Sequence, residues 1–285
     1  MKGRVKSFFA AVGYLFLCAL LQGIVSIIII IIPIVLSSAP INNFSPDNIT
    51  NLIAPFMNYI LMASSIVTML TLWIIFKCRK LNLKEEILLK KTKSCNIIGA
   101  IILGFFAWIF NSSWVGFLQT LDQFKEAFNV MDQMLSGVGS GNIFVAILVV
   151  GIIAPIAEEF IFRGVIYRAL KKNMSIVSTI IIQAILFGIF HGNLIQGMYT
   201  IPLALVLGYV TYRTNSLLPA IMIHIVNNTA ATVMPMFLTG VDITMPLVII
   251  LFILGLLGVI LPLRFIIKKN PKKIDSYTNI NTSVE

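Results

Sequence analysis

The sequence predicts an all-α fold, a polytopic integral membrane bundle of about eight transmembrane helices. Two observations carry that expectation. Of the 285 residues, 58% are hydrophobic and only 11% charged, and the mean hydropathy is +0.97. A soluble domain of this length carries far more charge, whereas a helix crosses a bilayer on roughly 20 apolar residues. The hydrophobic residues also fall into long runs separated by short polar stretches, at 8–36, 51–76, 97–118, 143–162, 175–199, 200–212, 217–238 and 245–267. The net charge of +10 is explained by the membrane and not by nucleic acid, because the basic residues follow the ends of the runs.

In order, the first run follows Met1-Lys-Gly-Arg-Val-Lys6 and is too long for a signal-peptide core, so it reads as an uncleaved anchor. Small residues at Ser37-Ser38-Ala39 supply the minor alternative of cleavage. The second and third runs flank a basic loop over 77–95. The stretch after the third run, with Asp122, Glu126 and Asp132, reads as an external loop. The fourth run ends in Glu158-Glu159-Phe-Ile-Phe-Arg163. The fifth and sixth are nearly continuous, with a break expected at Thr200 to Pro202. The seventh carries His224, and the eighth leads into a basic tail whose end, after Pro271, reads as disordered.

With the N-terminus on the cytoplasmic side, eight spans place every one of the 21 basic residues except Lys125 at or near the cytoplasmic face. The positive-inside rule therefore gives a multi-pass protein of the cell membrane with both termini inside. Cys18, Cys78 and Cys95 are too few and too scattered for a disulfide framework. Three parts are expected: 1–140, N-terminal helices with the basic loop; 143–238, a core holding the reactive residues; and 245–285, the last helix and tail.

Ionisable groups inside a bilayer are costly, and each is a functional hypothesis. Those in this chain are Glu158, Glu159, Arg163 and its only two histidines, His191 and His224, with Asn228 one helical turn after His224. Glu159 and Arg163, four apart, pair along one face, while Glu158 is turned about 100° away and faces a partner helix. If Arg163 marks the cytoplasmic interface, Glu158, His191 and His224 converge in one layer roughly 7–14 Å below it. Pro155 loosens the helix beside that layer.

A carboxylate and an imidazole can hold and deprotonate water, and a second imidazole with a carboxamide can donate to an oxyanion. That inventory suits amide hydrolysis by water, as no serine or cysteine is placed as a nucleophile. The same Glu158, His191 and His224 suit a His₂Glu zinc site. Two further readings stay open: a non-catalytic bacteriocin-immunity or scaffold protein whose polar cluster only joins helices, and a proton-coupled transporter.

Glu158-Glu159-x-x-x-Arg163, Phe187-x-x-x-His191 and His224-x-x-x-Asn228, with Gly208-Tyr-Val-Thr-Tyr-Arg-Thr-Asn-Ser-Leu217 between the last two, resemble the CPBP family (CAAX protease and bacteriocin-processing), intramembrane proteases related to type II CAAX prenyl endopeptidases. The resemblance covers about residues 143–235. It implies a CAAX-type endopeptidase that cuts a membrane-embedded or lipidated peptide near the cytoplasmic face. By motif position, Glu158 with His191 activates water and His224 with Asn228 stabilises the oxyanion. Glu159, Arg163 and Phe187 support them. Family members are often labelled metalloproteases, yet no cofactor is favoured; zinc is the alternative. Ala204 and Asn215 depart from glycines common in the family, and Asn tolerates the left-handed backbone a turn needs.

Overall fold

The computed structural model describes residues 1–36, 52–135, 137–138, 142–240 and 244–271. Among these the protein is helical and without strands. The principal helices are α1 (Lys2–Leu36), α2 (Met57–Cys78), α3 (Ser94–Gln119), α4 (Lys125–Leu135), α5 (Ile143–Lys171), α6 (Ile176–Phe190), α7 (Leu194–Thr214), α8 (Leu218–Val233) and α9 (Met245–Lys269). Six helical stretches are long and apolar enough to cross a membrane: those of α1, α2, α3, α5, α7 and α9. With the shorter α6 and α8 they form a polytopic membrane bundle. The Ser37-Ser38-Ala39 site, Asp47, Asp242 and the tail beyond Pro271 lie outside the described residues.

Two sequence expectations are corrected. The break expected at Thr200 to Pro202 falls instead at His191-Gly192-Asn193. Gly192 adopts φ +72, and Asn193 caps α7 by accepting from the Gln196 backbone N–H at 2.7 Å. Gly-Asn is a strong stop-and-start signal, whereas Pro202 is absorbed inside α7. The second correction is α4, which stands where an external loop was expected. Phe128, Met131 and Leu135 give it one apolar face, and Phe128 packs with Leu118 and Ile195. Asn215 does take the left-handed backbone, with φ +50.

One end of the bundle gathers the basic segments. Arg168 pairs with Glu86 at 3.4 Å, Lys93 donates to the Lys269 carbonyl at 2.6 Å, and Arg213 donates to the Asn270 carbonyl at 3.0 Å. From this end the 87–90 loop reaches inward. Its Leu88, at φ +56, accepts from the Leu217 N–H at 2.9 Å, and the Ser216 hydroxyl donates to the Lys90 carbonyl at 2.6 Å. These bonds recess the start of α8 into the bundle.

Two close approaches then hold α8. A Cβ on Gly104 of α3 would lie 2.5 Å from the Ile223 carbonyl, and one on Gly151 of α5 would lie 2.7 Å from the Thr229 hydroxyl. A side chain at Gly104 would have to move the α8 backbone, and one at Gly151 would have to turn the Thr229 hydroxyl away. α5 itself is irregular, because π-helical stretches at Ile147–Ile153 and Phe160–Ile166 flank Ala154–Glu159. Pro155 lacks the N–H of a regular helix at that point, and the widened turns enclose the two glutamates.

Candidate active site

The two adjacent glutamates of α5 have opposite environments. Glu159 is fully buried, and its Oε1 receives both the Arg163 guanidinium and the His224 Nδ1, each at 2.7 Å. Glu158 is 18% exposed at its side chain, and its Oε2 lies 3.6 Å from the other nitrogen of the same ring, His224 Nε2. At that distance the pair is close without a direct hydrogen bond. A carboxylate only accepts, so the ring proton on Nδ1 belongs to the bond with Glu159, and Nε2 is the nitrogen turned toward Glu158.

Arg163 occupies the interior. It is fully buried, with its guanidinium stacked 4.5 Å over the Phe187 ring. Its charge is balanced by Glu159 and covered by an aromatic face. Along α5, Glu158 lies about 20 Å from Lys171 at the end of the helix. α8 agrees with this level: the 87–90 loop that receives it packs Ile87 against Gly164, about 10 Å along α5, and His224 follows Leu218 by about 9 Å.

Phe187 joins the two histidines. Its ring meets His191 edge-on at 4.7 Å and His224 at 5.8 Å between centroids. His191 Nδ1 lies 2.9 Å from the Phe187 carbonyl, which only accepts, so Nδ1 is the protonated nitrogen of this contact. Neutral His191 then keeps an unshared pair on Nε2. A ring held in one tautomer in this way is suited to take a proton from water.

Asn228 is held by groups that the sequence motifs do not contain. Asn111 of α3 donates its amide to Asn227 at 3.2 Å, and Asn227 donates to the Asn228 oxygen at 2.9 Å. Asn228 in turn directs its amide nitrogen to the Val150 carbonyl at 3.3 Å. Asn227 and Asn228 each accept on one side and donate on the other. The relay fixes which end of Asn228 is the donor. Asn111 and Asn227 were missed by the sequence reading; an asparagine inside each of two apolar runs was the available signal.

Two cavities meet at these residues. One of about 550 Å³ is lined by His224, Asn227, Asn228, Tyr199 and α4 residues including Met131. The other, about 400 Å³, is lined by Glu158 and by residues of α1 and α2. His191, Gln196, Asn228, Val150, Leu135 and Val138 belong to both walls. The structure thus brings Glu158, Glu159, Arg163, Phe187, His191, His224 and Asn228 around one junction. Zinc fits this arrangement poorly. Glu158 and His224 are near neighbours, but no group of three His, Cys, Asp or Glu side chains among the described residues is arranged to hold a metal ion, and catalytic zinc usually has three protein ligands.

Comparison with known proteins bears out the resemblance over the part of the chain that carries these motifs. Residues 140–230 match the family model for type II CAAX prenyl endopeptidase Rce1-like proteins. A curated protein of Bacillus subtilis (strain 168), named "Putative membrane peptidase YdiL", is 30% identical over 88 residues, which cover 31% of this chain and 36% of that protein. The match thus spans about a third of either protein. No solved structure gives a significant match.

Proposed function

We propose that the protein is a CAAX-type intramembrane endopeptidase, which hydrolyses a peptide bond in a membrane-embedded or lipidated peptide or protein. The observation that carries this reading is the split between the adjacent glutamates. Glu159 is consumed by Arg163 and His224, while Glu158 opens to a cavity beside His224 and shares that cavity with His191. An acid kept free next to its locked twin is arranged for reaction and not for support.

In the proposed mechanism Glu158 and His191 Nε2 hold a water molecule between them and withdraw its proton as its oxygen attacks the scissile carbonyl. The carbonyl oxygen becomes an oxyanion, which accepts from the Asn228 amide and from His224. For His224 to donate from Nε2 while Nδ1 donates to Glu159, the ring enters the step carrying both protons and keeps them, with the Glu159 carboxylate against Nδ1 throughout. Collapse of the tetrahedral intermediate expels the amine, which takes the proton held by Glu158. No step requires a metal ion, and attack by water leaves no covalent enzyme intermediate.

The reading puts the cut at the level of Glu158, about 20 Å along α5 from Lys171. Orientation belongs to the same proposal. The basic end of the bundle faces the cytoplasm, with both termini on that side and the cell membrane as the location, as the positive-inside rule supports.

The test compares peptides in membranes holding wild-type protein or Glu158→Gln, by peptidomics. We expect a set of cleavage products that disappears in the variant, with turnover on the products' parent peptide reduced by about 10²–10⁴-fold. Full turnover by a folded Glu158→Gln protein overturns the reading. It would leave the polar cluster as interhelical support of the kind a scaffold or immunity protein needs.

A further inference from the structure

We infer that the 400 Å³ cavity lined by α1, α2 and α5 is a binding groove for an extended, unwound polypeptide segment leading to Glu158. This assignment rests on the peptidase reading and adds to it the conformation of the bound substrate.

The groove is lined by two polar rows on helices that carry none of the family motifs. Cys18, Gln22, Ser26 and Ile30 form a single stripe on α1, each four residues from the next, and all line the cavity. Ser64, Ser65 and Thr68 face it from α2. These groups stand at membrane depth, where an unmatched polar atom is costly. Ser26 and Ser64 donate to carbonyls of their own helices, Gln22 at 2.7 Å and Leu61 at 3.1 Å, which leaves their oxygen lone pairs toward the groove. The Gln22 carboxamide and the Ser65 and Thr68 hydroxyls make no side-chain hydrogen bond among the described residues. Ser65 and Thr68 are nevertheless only 9% and 3% exposed. Both line the cavity, and their hydroxyls have no hydrogen-bond partner among the described residues.

The spacing identifies the ligand. Gln22 and Ser26, like Ser64 and Thr68, are four residues apart on a helix, which is about 6 Å along the axis. In an extended chain the peptide groups on one edge recur every second residue, about 6.6 Å. Polar rows of nearly that repeat line the groove from α1 and from α2, and each can serve one edge of a strand. A carboxamide matches a peptide unit, since it accepts from N–H and donates to C=O, and hydroxyls do either. An acyl or isoprenoid chain has no groups for these rows to satisfy. A substrate must leave the helical state for its backbone to be cut, and its freed N–H and C=O groups then need partners inside the membrane. The rows supply them, and the groove opens on Glu158 and His191.

The test uses binding, so that it does not depend on turnover. Full-length Glu158→Gln protein in lipid nanodiscs is titrated with a dansyl-labelled dodecapeptide of leucine and alanine, and with two versions N-methylated at the odd or the even positions. N-methylation removes N–H donors and makes the peptide more apolar. We expect saturable binding that weakens about tenfold with either methylated version. In Gln22→Leu with Ser26→Ala, sensitivity to one methylation pattern disappears and sensitivity to the other persists; Thr68→Val with Ser65→Ala reverses the assignment. Equal or tighter binding of the methylated peptides overturns the proposal and points to an apolar lipid chain. Absence of saturable binding by the unmethylated peptide overturns it equally. The methylation arm needs no substitution in the groove, so a variant that fails to fold does not blunt it. Peptide binding without any cleavage by the wild-type protein would instead overturn the peptidase reading alone.

Discussion

The two walls of the chamber are built on opposite principles. On the wall formed by α3, α5, α6 and α8, polar side chains are engaged with one another: Arg163 with Glu159, Glu159 with His224, Asn111 with Asn227, and Asn227 with Asn228. On the wall formed by α1 and α2, Gln22, Ser65 and Thr68 engage nothing among the described residues. The difference separates two uses of polarity inside a membrane. Interlocked groups set geometry, because each removes the freedom of the next. Groups without partners are kept for a ligand, since burying them otherwise gains nothing. Glu158 is the exception on the first wall, and that exception is what marks it as reactive.

The sharpest way to break this contrast is to remove a group from the interlocked wall. Arg163→Ala leaves Glu159 charged and uncompensated in the interior, and empties the space over Phe187. Loss of one partner from a buried pair costs about 3–5 kcal/mol. A detergent-solubilised variant should therefore melt well below wild type and accumulate poorly, whereas Thr68→Val on the other wall should melt close to wild type. Equal stability of the two variants would remove the distinction between the walls.

A smaller effect, confined to catalysis, is expected from Asn227→Asp. The substitution keeps size and keeps an acceptor for Asn111, but takes away the donor to the Asn228 oxygen. Asn228 then gains by turning over, so that its amide meets the new carboxylate and its oxygen faces the chamber. The oxyanion loses a donor, a change worth about 10²–10³ in kcat where such donors have been removed. KM and the melting temperature should stay near wild type. A structural role for Asn227 would lower stability instead, and unchanged kcat in a protein where Glu158→Gln is inactive would remove the relay from the mechanism.

The two walls also differ in how far they were legible. Helical spans and the convergence of Glu158, His191, His224 and Asn228 could be read from the sequence, because charge and histidine are rare in apolar runs and stand out there. The pairing of Arg163 with Glu159 could be read from their spacing, whereas its full burial under Phe187 is tertiary and could not. The helix break was misplaced because proline was weighted above Gly192-Asn193. Gln22, Ser26, Ser65 and Thr68 carried no signal at all, since small polar residues occur in membrane helices for many reasons. Their meaning appears only when two helices line one cavity.

The smallest expected effect concerns metal. Zinc would tie Glu158 into the interlocked wall and abolish its exceptional status, so metal dependence tests the same contrast from another side. His224 has committed Nδ1 to Glu159 and His191 has committed Nδ1 to the Phe187 carbonyl, which leaves one nitrogen on each ring. Glu158 and the free nitrogen of His224 lie 3.6 Å apart, close enough to share an ion, but no third ligand completes the set among the described residues. We expect purified protein to carry zinc well below one per chain, and a chelator to change cleavage by less than about twofold, since general acid–base groups alone carry the proton transfers. Stoichiometric zinc whose removal abolishes cleavage, and whose return restores it, would make His191 swing into the coordination sphere. Glu158 would then be a ligand, and the activating base would have to be sought elsewhere, with Glu159 the nearest carboxylate and Arg163 the residue that would have to release it.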